Sequence, residues 1–519
     1  MNSASPKKNG LFKSLGETLS FLFVAEKDPA HVYWILGVIT LCALVLRTYS
    51  INRPIGYDEA YTFIHFAAKS FKYILADYHA PNNHILNSIL IGISYRLLGS
   101  HTWIVRLPAF IASTLTVPAV FFTARRFFSR SQSLAASAVL AIYPSLVQST
   151  ANGRGYMMII LFTFILANLA GLLIKKQNLT SLAAYAITGA LGFYTIPIFL
   201  YPMAGISLWV AVTHLLGEES WKNRFSRLAA FMGTCLVSGL LTLLLYSPVI
   251  IFGTGLDSII SNDIVQSRTW AYFIESLGPR VVKILADWRT DLSLPVQYLL
   301  VTGFLISILF YRKSSNQKLP LQVFLFLAAA ILLILQRVAP MPRIWMYLEL
   351  SCVVFSVTGL VWIIEVVFKK LQRINLLNKL FPYAALLFSV SILIGATLNT
   401  QSASAIADHT VLPEQYAAQY LAEHLKTGDV LLAPGPLDML TAYHLKILGI
   451  SYDVFYQRKH PVEFERAFII LRTRDENGTP QKVIDLYQLS PSLDPSRAEL
   501  VYEYGDLQVY SVQAGESSP

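Results

Sequence analysis

Charged residues are scarce in this sequence, and their scarcity excludes an ordinary soluble protein. Asp, Glu, Lys and Arg make up 14% of the 519 residues, whereas 54% are hydrophobic. Soluble domains contain roughly 25% charged and about 45–50% apolar residues. A soluble chain of this composition could not cover its apolar surface, so the composition predicts a polytopic integral membrane protein.

Cysteine and signal-peptide features are scarce as well. Cys42, Cys235 and Cys352 all lie in apolar segments, which indicates neither a disulfide framework nor a cysteine metal site. The first ~30 residues are too polar for a cleavable signal, so we expect the first apolar run to be a retained anchor. The net charge of +10 is carried by short basic clusters between apolar runs, which favours membrane topology over nucleic-acid binding.

Apolar runs long enough to cross a bilayer, about 20 residues each, recur along most of the chain. The run His84 to Gly99 is shorter and contains Asn87 and Arg96, so it could be either a twelfth span or an interfacial helix. The eleven predicted spans lie near 32–50, 104–124, 132–150, 156–174, 179–193, 196–215, 228–252, 294–311, 319–336, 344–368 and 380–399.

The basic clusters decide between eleven and twelve spans, because cytoplasmic loops collect Lys and Arg. With eleven spans and a cytoplasmic N-terminus, every basic cluster falls on the inside, whereas a twelfth span would move the later clusters outside. We therefore expect the 84–99 segment to be interfacial on the outer surface. The predicted domains are a cytoplasmic segment 1–30, a transmembrane domain 31–400 and an extracytoplasmic domain 401–519 of a cell (plasma or inner) membrane protein.

The tail differs in kind from the rest of the chain, because charged residues become frequent. Helix-like stretches at 413–426 and 478–489 alternate with the apolar runs Val430–Leu432, Phe468–Leu471 and Leu507–Val512. This alternation predicts a small soluble α/β domain, and its sequence contains no catalytic constellation.

Two adjacent carboxylates, Asp58 and Glu59, follow the first predicted span. The residues from Glu59 to Leu75 place their apolar side chains on one face, which predicts a helix lying in the membrane interface. The acids could therefore cap this helix and complement its dipole. Alternatively, one of them could act as the base that takes a proton from an acceptor hydroxyl.

Further polar residues fall on the same predicted outer face. His84 begins the short amphipathic run, Arg106 opens a span, and Arg154 and Arg343 lie in outer turns, against the positive-inside trend. Each arginine could contact lipid headgroups or hold a phosphate bidentately. A carboxylate, several cations and nearby aromatic residues suit a lipid-linked, phosphate-bearing substrate.

Together these motifs resemble the GT-C glycosyltransferases of the protein O-mannosyltransferase and lipid A aminoarabinose transferase type. The similarity covers roughly residues 30–400 in architecture, and about 50–160 in motifs. Its motifs are Tyr57-Asp58-Glu59-Ala60, Pro81-Asn82-Asn83-His84, Arg106-Leu107-Pro108 and Gly153-Arg154-Gly155-Tyr156, with Pro342-Arg343 as a weaker echo.

The resemblance implies a fold and a reaction. The fold is an all-α membrane domain of about eleven helices, with interfacial helices in the first outer loop and a small soluble α/β domain at the end. The reaction is an inverting transfer from a polyprenyl-phosphate sugar to an acceptor hydroxyl at the extracytoplasmic face. Asp58 is then the catalytic base, supported by Glu59, and the implied substrate-binding residues are Tyr57, His84, Arg106, Arg154, Tyr156 and Arg343.

Cofactor and partners follow from the same resemblance. Several relatives carry a metal-binding acid in the second outer loop, where this chain has Arg154-Gly155-Tyr156, so the resemblance establishes no certain cofactor and a divalent cation stays an open alternative. The expected partners are the lipid-linked donor, membrane lipids and a lipid, polysaccharide or protein acceptor, with no nucleic acid. The competing interpretations are a polytopic transporter and a non-catalytic cell-envelope assembly partner.

Overall fold

Helices dominate the computed structural model, which describes residues 28–261, 266–338, 341–404 and 412–515. Most of the predicted N-terminal segment 1–30 therefore lies outside the described residues. The α-helices, numbered in chain order, are α1 (Ala30–Ile51), α2 (Tyr57–Thr62), α3 (Phe71–Ala76), α4 (Ile85–Leu98), α5 (Thr102–Ala124), α6 (Arg130–Ile142), α7 (Pro144–Gln148), α8 (Tyr156–Lys175), α9 (Leu179–Thr195), α10 (Leu200–Leu215), α11 (Trp221–Phe252), α12 (Asp257–Ile260), α13 (Trp270–Asp287), α14 (Leu294–Leu309), α15 (Tyr311–Ser314), α16 (Leu321–Gln336), α17 (Met346–Lys370), α18 (Ile374–Ser404), α19 (Pro413–His424), α20 (Leu437–Ile447) and α21 (Pro480–Tyr487).

Six helices within the described residues are long and apolar enough to cross a membrane. They are α1, α5, α8, α11 and the two helices Pro197–Leu215 and Pro342–Lys370, each of which begins with a 3-10 turn. Each of the eleven predicted spans coincides with helix, but α14 and α16 have 16 residues each, which gives about 24 Å against a hydrocarbon core of about 30 Å. The number of eleven spans therefore stays a prediction.

The predicted span 132–150 is broken in two. The α6 helix and the segment Pro144–Ala151 meet at an angle of 52°. Proline has no amide hydrogen to donate to the preceding turn, and it holds the residue before it, Tyr143, in an extended conformation (φ −64°, ψ 126°). The two pieces together would make a seventh span among the described residues.

The predicted single helix from Glu59 to Leu75 is wrong, because three shorter segments replace it. The α2 helix continues into the π-helical turn Phe63–Ala67. The helix is then interrupted at residues 68–70, and α3 follows. The Ala68 amide donates to the Phe63 carbonyl at 2.9 Å, five residues back, and this wider turn shifts the register of the apolar face. Phe63, Phe66 and Ile74 are fully buried inside the protein.

The chain divides into two compact units. One comprises Ile51 and the described residues before it, Leu75–Leu90 and Arg106–Thr400. The other comprises Asn52–Ile74, Ile91–Val105 and the described residues from Gln401 onward. The first predicted outer loop is thus shared between the units, and its Asp58 segment belongs to the unit that contains the tail.

Helix packing and buried charges stabilise the first unit. The helix pairs α14 with α17, α9 with α11 and α10 with α16 pack closely. Asp28 accepts hydrogen bonds from Arg125 at 2.9 Å and from Arg130 at 2.7 Å, and its side chain is 3% exposed. These contacts fix the start of α1 against the turn between α5 and α6.

A four-stranded sheet forms the centre of the second unit. The strands β1 (Asp429–Leu432), β2 (Arg466–Arg472), β3 (Glu499–Tyr504) and β4 (Leu507–Gln513) lie in the order β1-β2-β4-β3. The β1–β2 pair is parallel, and the other two pairs are antiparallel. The predicted α/β tail is therefore confirmed, and its predicted helices and apolar runs correspond to α19, α21, β1, β2 and β4.

Both faces of the central strand β2 are buried, whereas the edge strand β3 is largely exposed. Side chains alternate between faces along a strand, so Phe468 and Ile470 lie in one apolar cluster while Ile469 and Leu471 lie in another. The first cluster also contains Phe63, whose ring meets the Tyr95 ring at 5.0 Å and the Tyr443 ring at 5.4 Å. One phenylalanine thus connects the three chain segments of the second unit.

We predict that Phe63→Ala loosens the second unit and leaves the first intact. Loss of a buried phenylalanine costs about 3–5 kcal/mol through lost burial and the cavity left behind. Hydrogen exchange followed by mass spectrometry on the purified full chain should show faster exchange in β2, with α8 unchanged. Tyr73→Ala, at a side chain that is 37% exposed, is the control. Unchanged protection of β2 in the Phe63 variant would show that this ring does not connect the segments.

Candidate active site

The two predicted catalytic acids occupy different environments in the second unit. Glu59 is buried, and its carboxylate accepts the Gly56 amide hydrogen at 2.8 Å, closing the N-terminus of α2. Asp58 is half-buried on the same first turn. The capping interpretation therefore describes Glu59, whereas the role of Asp58 as the base stays a prediction.

One cavity in the first unit gathers four of the predicted substrate-binding residues. His84, Arg154, Tyr156 and Arg343 all line a cavity of about 80 Å³. These side chains come from the turn before α4, the turn before α8, the first turn of α8 and the 3-10 turn before α17. The remaining lining residues are Tyr78, Pro81, Asn82, Ile196, Pro197, Ile198, Ile259, Met341 and Ile344.

The imidazole of His84 has a defined tautomer. Its Nδ1 accepts the Gly155 amide hydrogen at 2.9 Å, so Nδ1 carries no proton and the proton of the neutral ring is on Nε2. Arg154 Nη2 lies 3.3 Å from Nε2. A guanidinium nitrogen is always a donor, so the two groups present donors to each other and both suit a shared acceptor such as an anion oxygen.

Burial keeps this imidazole neutral. His84 is 1% exposed, and burial lowers its pKa well below the usual value, with the positive charges of Arg154 and Arg343 lowering it further. Burial likewise raises the pKa of the Tyr78 phenol. Both groups therefore act as neutral donors at physiological pH.

Two guanidinium groups converge on one aromatic ring. The Arg154 and Arg343 guanidinium carbons lie 5.4 Å and 5.7 Å from the centre of the Tyr156 ring, within cation–π range. The His84 ring meets the same tyrosine edge to face at 5.3 Å. Tyr156 thus positions both arginines at one cavity, where they can bind an oxyanion together.

The turn that carries Arg154 is held by two side chains at the start of α4, one on each side of the arginine. Asn87 Nδ2 donates to the Gly153 carbonyl at 2.9 Å, while His84 accepts from Gly155. A methyl group at Gly155 would lie 2.6 Å from Thr195 Cγ2 and 3.3 Å from the His84 ring, so only glycine permits this approach. Sequence reasoning missed Asn87, although its three-residue spacing from His84 places both on one helix face.

A second connection fixes Tyr78 at the cavity. The Tyr78 amide donates to Thr254 Oγ1 at 2.9 Å, and the Thr254 amide donates to the Ala76 carbonyl at 3.2 Å. Gly253 permits this contact, because a methyl there would overlap the Ala76 carbonyl oxygen at 1.6 Å. The predicted outer loops 51–103 and 253–293, which contain Tyr78 and Thr254, are therefore joined here.

Arg106 does not line this cavity. It is 1% exposed, and its Nη1 donates to the Ile51 carbonyl at 2.8 Å. That bond fixes the last residue of α1, immediately before the loop that leads to Asp58. The assignment of Arg106 to the donor phosphate rests on the resemblance, and it stays a prediction.

The residues present do not fit a family-style metal site. Among the described residues, no three His, Cys, Asp or Glu side chains are grouped so that they could hold a metal ion. At the turn where several relatives carry an acid, this chain presents Arg154 to the cavity.

Comparison with known protein families gives one match. The family model for dolichyl-phosphate-mannose-protein mannosyltransferases matches residues 82–252. That range contains His84, Asn87, Arg154 and Tyr156. No curated protein sequence matches the chain.

Two solved structures share the fold across nearly the whole chain. ArnT from Cupriavidus metallidurans bound to undecaprenyl phosphate superposes with a TM-score of 0.60 at 12% identity, covering 93% of this chain and 98% of the other. The apo form of the same enzyme gives 0.59 at 13% identity with the same coverage. At this identity the likeness establishes the fold.

Fold and site thus define a multi-pass helical membrane protein with a small soluble α/β part and a cationic cavity. The chain is similar to the dolichyl-phosphate-mannose-protein mannosyltransferases over residues 82–252, and it shares its fold with the membrane protein ArnT.

We predict that His84 makes the native protein sensitive to acid. Because the folded pKa lies below the unfolded value of about 6.5, the unfolded chain binds more protons between the two values. The His84 contribution is full above about pH 6.5 and falls as pH is lowered, by at most about 1.4 kcal/mol per pH unit. Thermal unfolding at pH 7.5, 6.5 and 5.5 should therefore show a smaller loss in His84→Gln than in the wild type. An equal loss in both proteins would mean that the buried imidazole does not resist protonation.

Proposed function

We propose that this chain is a membrane glycosyltransferase that moves a sugar from a polyprenyl-phosphate donor to an acceptor hydroxyl at the extracytoplasmic face, with inversion. The observation that carries the proposal is the convergence of Arg154, Arg343 and the His84 Nε2–H on one cavity. Three donors, two of them cationic, match the oxygens of a phosphate monoester or diester.

The cavity suits a phosphate held at a membrane protein. Its apolar lining residues, among them Ile196, Ile198 and Met341, stand beside the cationic groups. A polyprenyl phosphate joins an apolar chain to an anionic head in the same way. The structural relative was solved with undecaprenyl phosphate, which agrees with a donor of this class.

The proposed step is a single displacement. The acceptor hydroxyl oxygen forms a bond to the anomeric carbon while the bond from that carbon to the phosphate oxygen breaks. Asp58 takes the hydroxyl proton, and the electron pair leaves with the lipid phosphate, whose growing charge Arg154 and Arg343 stabilise. Attack opposite the leaving phosphate inverts the anomeric centre.

Glu59 supports this step indirectly. Its carboxylate closes the N-terminus of α2 and so holds Asp58 on the first turn of the helix. Removal of a cap costs about 0.5–2 kcal/mol of helix stability. In this proposal Glu59 is a positioning residue and Asp58 is the base.

We expect Asp58→Asn to abolish sugar transfer while leaving donor binding intact. Loss of a general base lowers the rate by about 10²–10⁴-fold. The donor is polyprenyl-phosphate sugar extracted from cells that lack this protein, and mass spectrometry follows its conversion. Glu423→Gln, at an exposed acid of the tail, is the matched control. A folded Asp58→Asn protein that transfers sugar at the wild-type rate would exclude Asp58 as the base.

We expect Arg154→Ala and Arg343→Ala each to weaken binding of undecaprenyl phosphate at least tenfold. Hydrogen bonds to charged groups contribute about 1.5–3 kcal/mol, and tenfold corresponds to about 1.4 kcal/mol. Binding is measured on the purified protein in lipid nanodiscs. Arg289→Ala, at an exposed arginine of another predicted outer segment, should bind normally. Binding retained in both cavity variants would move the phosphate site elsewhere, and uptake by vesicles without any glycosylated product would favour a transporter.

A further inference from the structure

The helix that carries Asp58 packs on a helix of the soluble tail. Within the second unit, α2 and its π-helical turn lie against α20, and the Phe63 and Tyr443 rings are in contact there. The Tyr443 hydroxyl donates to the Ser100 carbonyl at 3.4 Å and to Thr102 Oγ1 at 3.3 Å. The segment that contains Asp58 is therefore held in place by its packing against the tail.

A strip of half-exposed rings runs along this contact. Tyr57, Tyr61 and His65 follow each other at four-residue spacing, with ring centres 6.3 Å and 4.3 Å apart. The strip continues on the tail, where the Tyr452 ring lies 5.1 Å from the His65 ring. Tyr57, which directly precedes Asp58, is 39% exposed.

A carboxylate of the tail stands beside this strip. Asp438, in the first turn of α20, acts electrostatically on both Tyr57 and Tyr452, and after burial it is the largest cause that raises the pKa of Tyr57 to about 12. Burial raises the pKa of the Asp438 carboxyl, and the main-chain amides of Asp438 and Met439 partly oppose that rise. Even so, Asp438 Oδ1 is buried without a hydrogen-bond partner among the described residues.

A structural role at the helix start does not explain the buried Oδ1 atom. Burying a carboxylate oxygen without a donor costs free energy, because its bonds to water are lost. Gly435 leaves room beside it, since a methyl there would lie 3.7 Å from Oδ1. The oxygen is therefore suited to a donor that arrives with a ligand.

The charge and shape of the site favour a saccharide. The charges that act on Tyr57 are the carboxylates of Asp438 and Asp58, which would repel a phosphate-bearing acceptor. The flat rings offer negative faces to the C–H groups of a pyranose, and its hydroxyls can donate to a carboxylate. A peptide would need main-chain partners, which a helix face does not offer.

We propose that Tyr57, Tyr61, Tyr452 and Asp438 bind the saccharide that accepts the transferred sugar, its C–H face on the tyrosines and one hydroxyl donating to Asp438 Oδ1. This inference rests on the proposed glycosyl transfer and names the acceptor class. It assigns the soluble tail to acceptor recognition.

Saccharide binding to the full-length protein in nanodiscs tests the proposal. Saturation-transfer NMR with maltotetraose, chitotetraose and glucose 6-phosphate should show that at least one of the two neutral oligosaccharides binds the wild type more tightly than the phosphorylated sugar. Asp438→Asn and Tyr452→Leu should each weaken that binding at least tenfold. Asp453→Asn, at an exposed acid next to Tyr452, should leave it unchanged.

Undecaprenyl phosphate binding, measured on the same samples, separates this proposal from the proposed function. Normal lipid binding together with wild-type saccharide binding in both variants would overturn the acceptor site alone. The acceptor site is equally wrong if neither neutral oligosaccharide binds the wild type, or if a serine-containing peptide competes for the tyrosine strip. Saccharide binding without lipid binding or transfer would overturn the glycosyltransferase and leave the saccharide site. Hydrogen exchange in β2 and α20 verifies that both variants are folded.

Discussion

The hydrogen bond from the Gly155 amide to His84 Nδ1 is the interaction on which the cationic cavity depends. It fixes the tautomer of the ring, so that Nε2–H is available as a donor beside Arg154. The same hydrogen bond holds one side of the turn that carries Arg154. Asn87 holds the other side of this turn, because its side chain donates to the Gly153 carbonyl. One main-chain contact therefore sets both the protonation of the histidine and the position of the guanidinium.

Neutrality of the histidine matters for the chemistry. A third positive charge in a buried cavity beside Arg154 and Arg343 would cost desolvation energy while the cavity is empty. A neutral N–H donor can bind a phosphate oxygen without that cost. Because its pKa is low, His84 stays neutral. The two arginines then attract an anion by their charge, and the neutral ring orients it through a hydrogen bond.

Sequence patterns predicted where the helices and motifs lie along the chain, but they predicted less well which residues contact one another in the folded protein. Composition and apolar runs indicated a membrane protein with a soluble α/β tail, and the outer arginines Arg154 and Arg343 were identified because they oppose the positive-inside trend. The contact of Asn87 was missed because a polar residue in an apolar run indicates a poor membrane span, and it does not indicate which carbonyl its amide binds. The π-helical turn at Phe63–Ala67 was also missed, since one extra residue in a turn leaves the apolar pattern almost unchanged.

The largest gap between sequence and structure concerns the tail. A change in composition near residue 400 indicates a separate domain. The sequence alone does not show that Asn52–Ile74 and Ile91–Val105 complete the apolar core of this domain. Such a core forms only when segments about 350 residues apart in sequence meet, at a cost in loop-closure entropy that grows slowly with length. Removal of the tail would expose Phe63 and Ile64, which lie in the turn after α2. The position of the Asp58 carboxylate therefore depends on packing against a domain whose own sequence contains no catalytic motif.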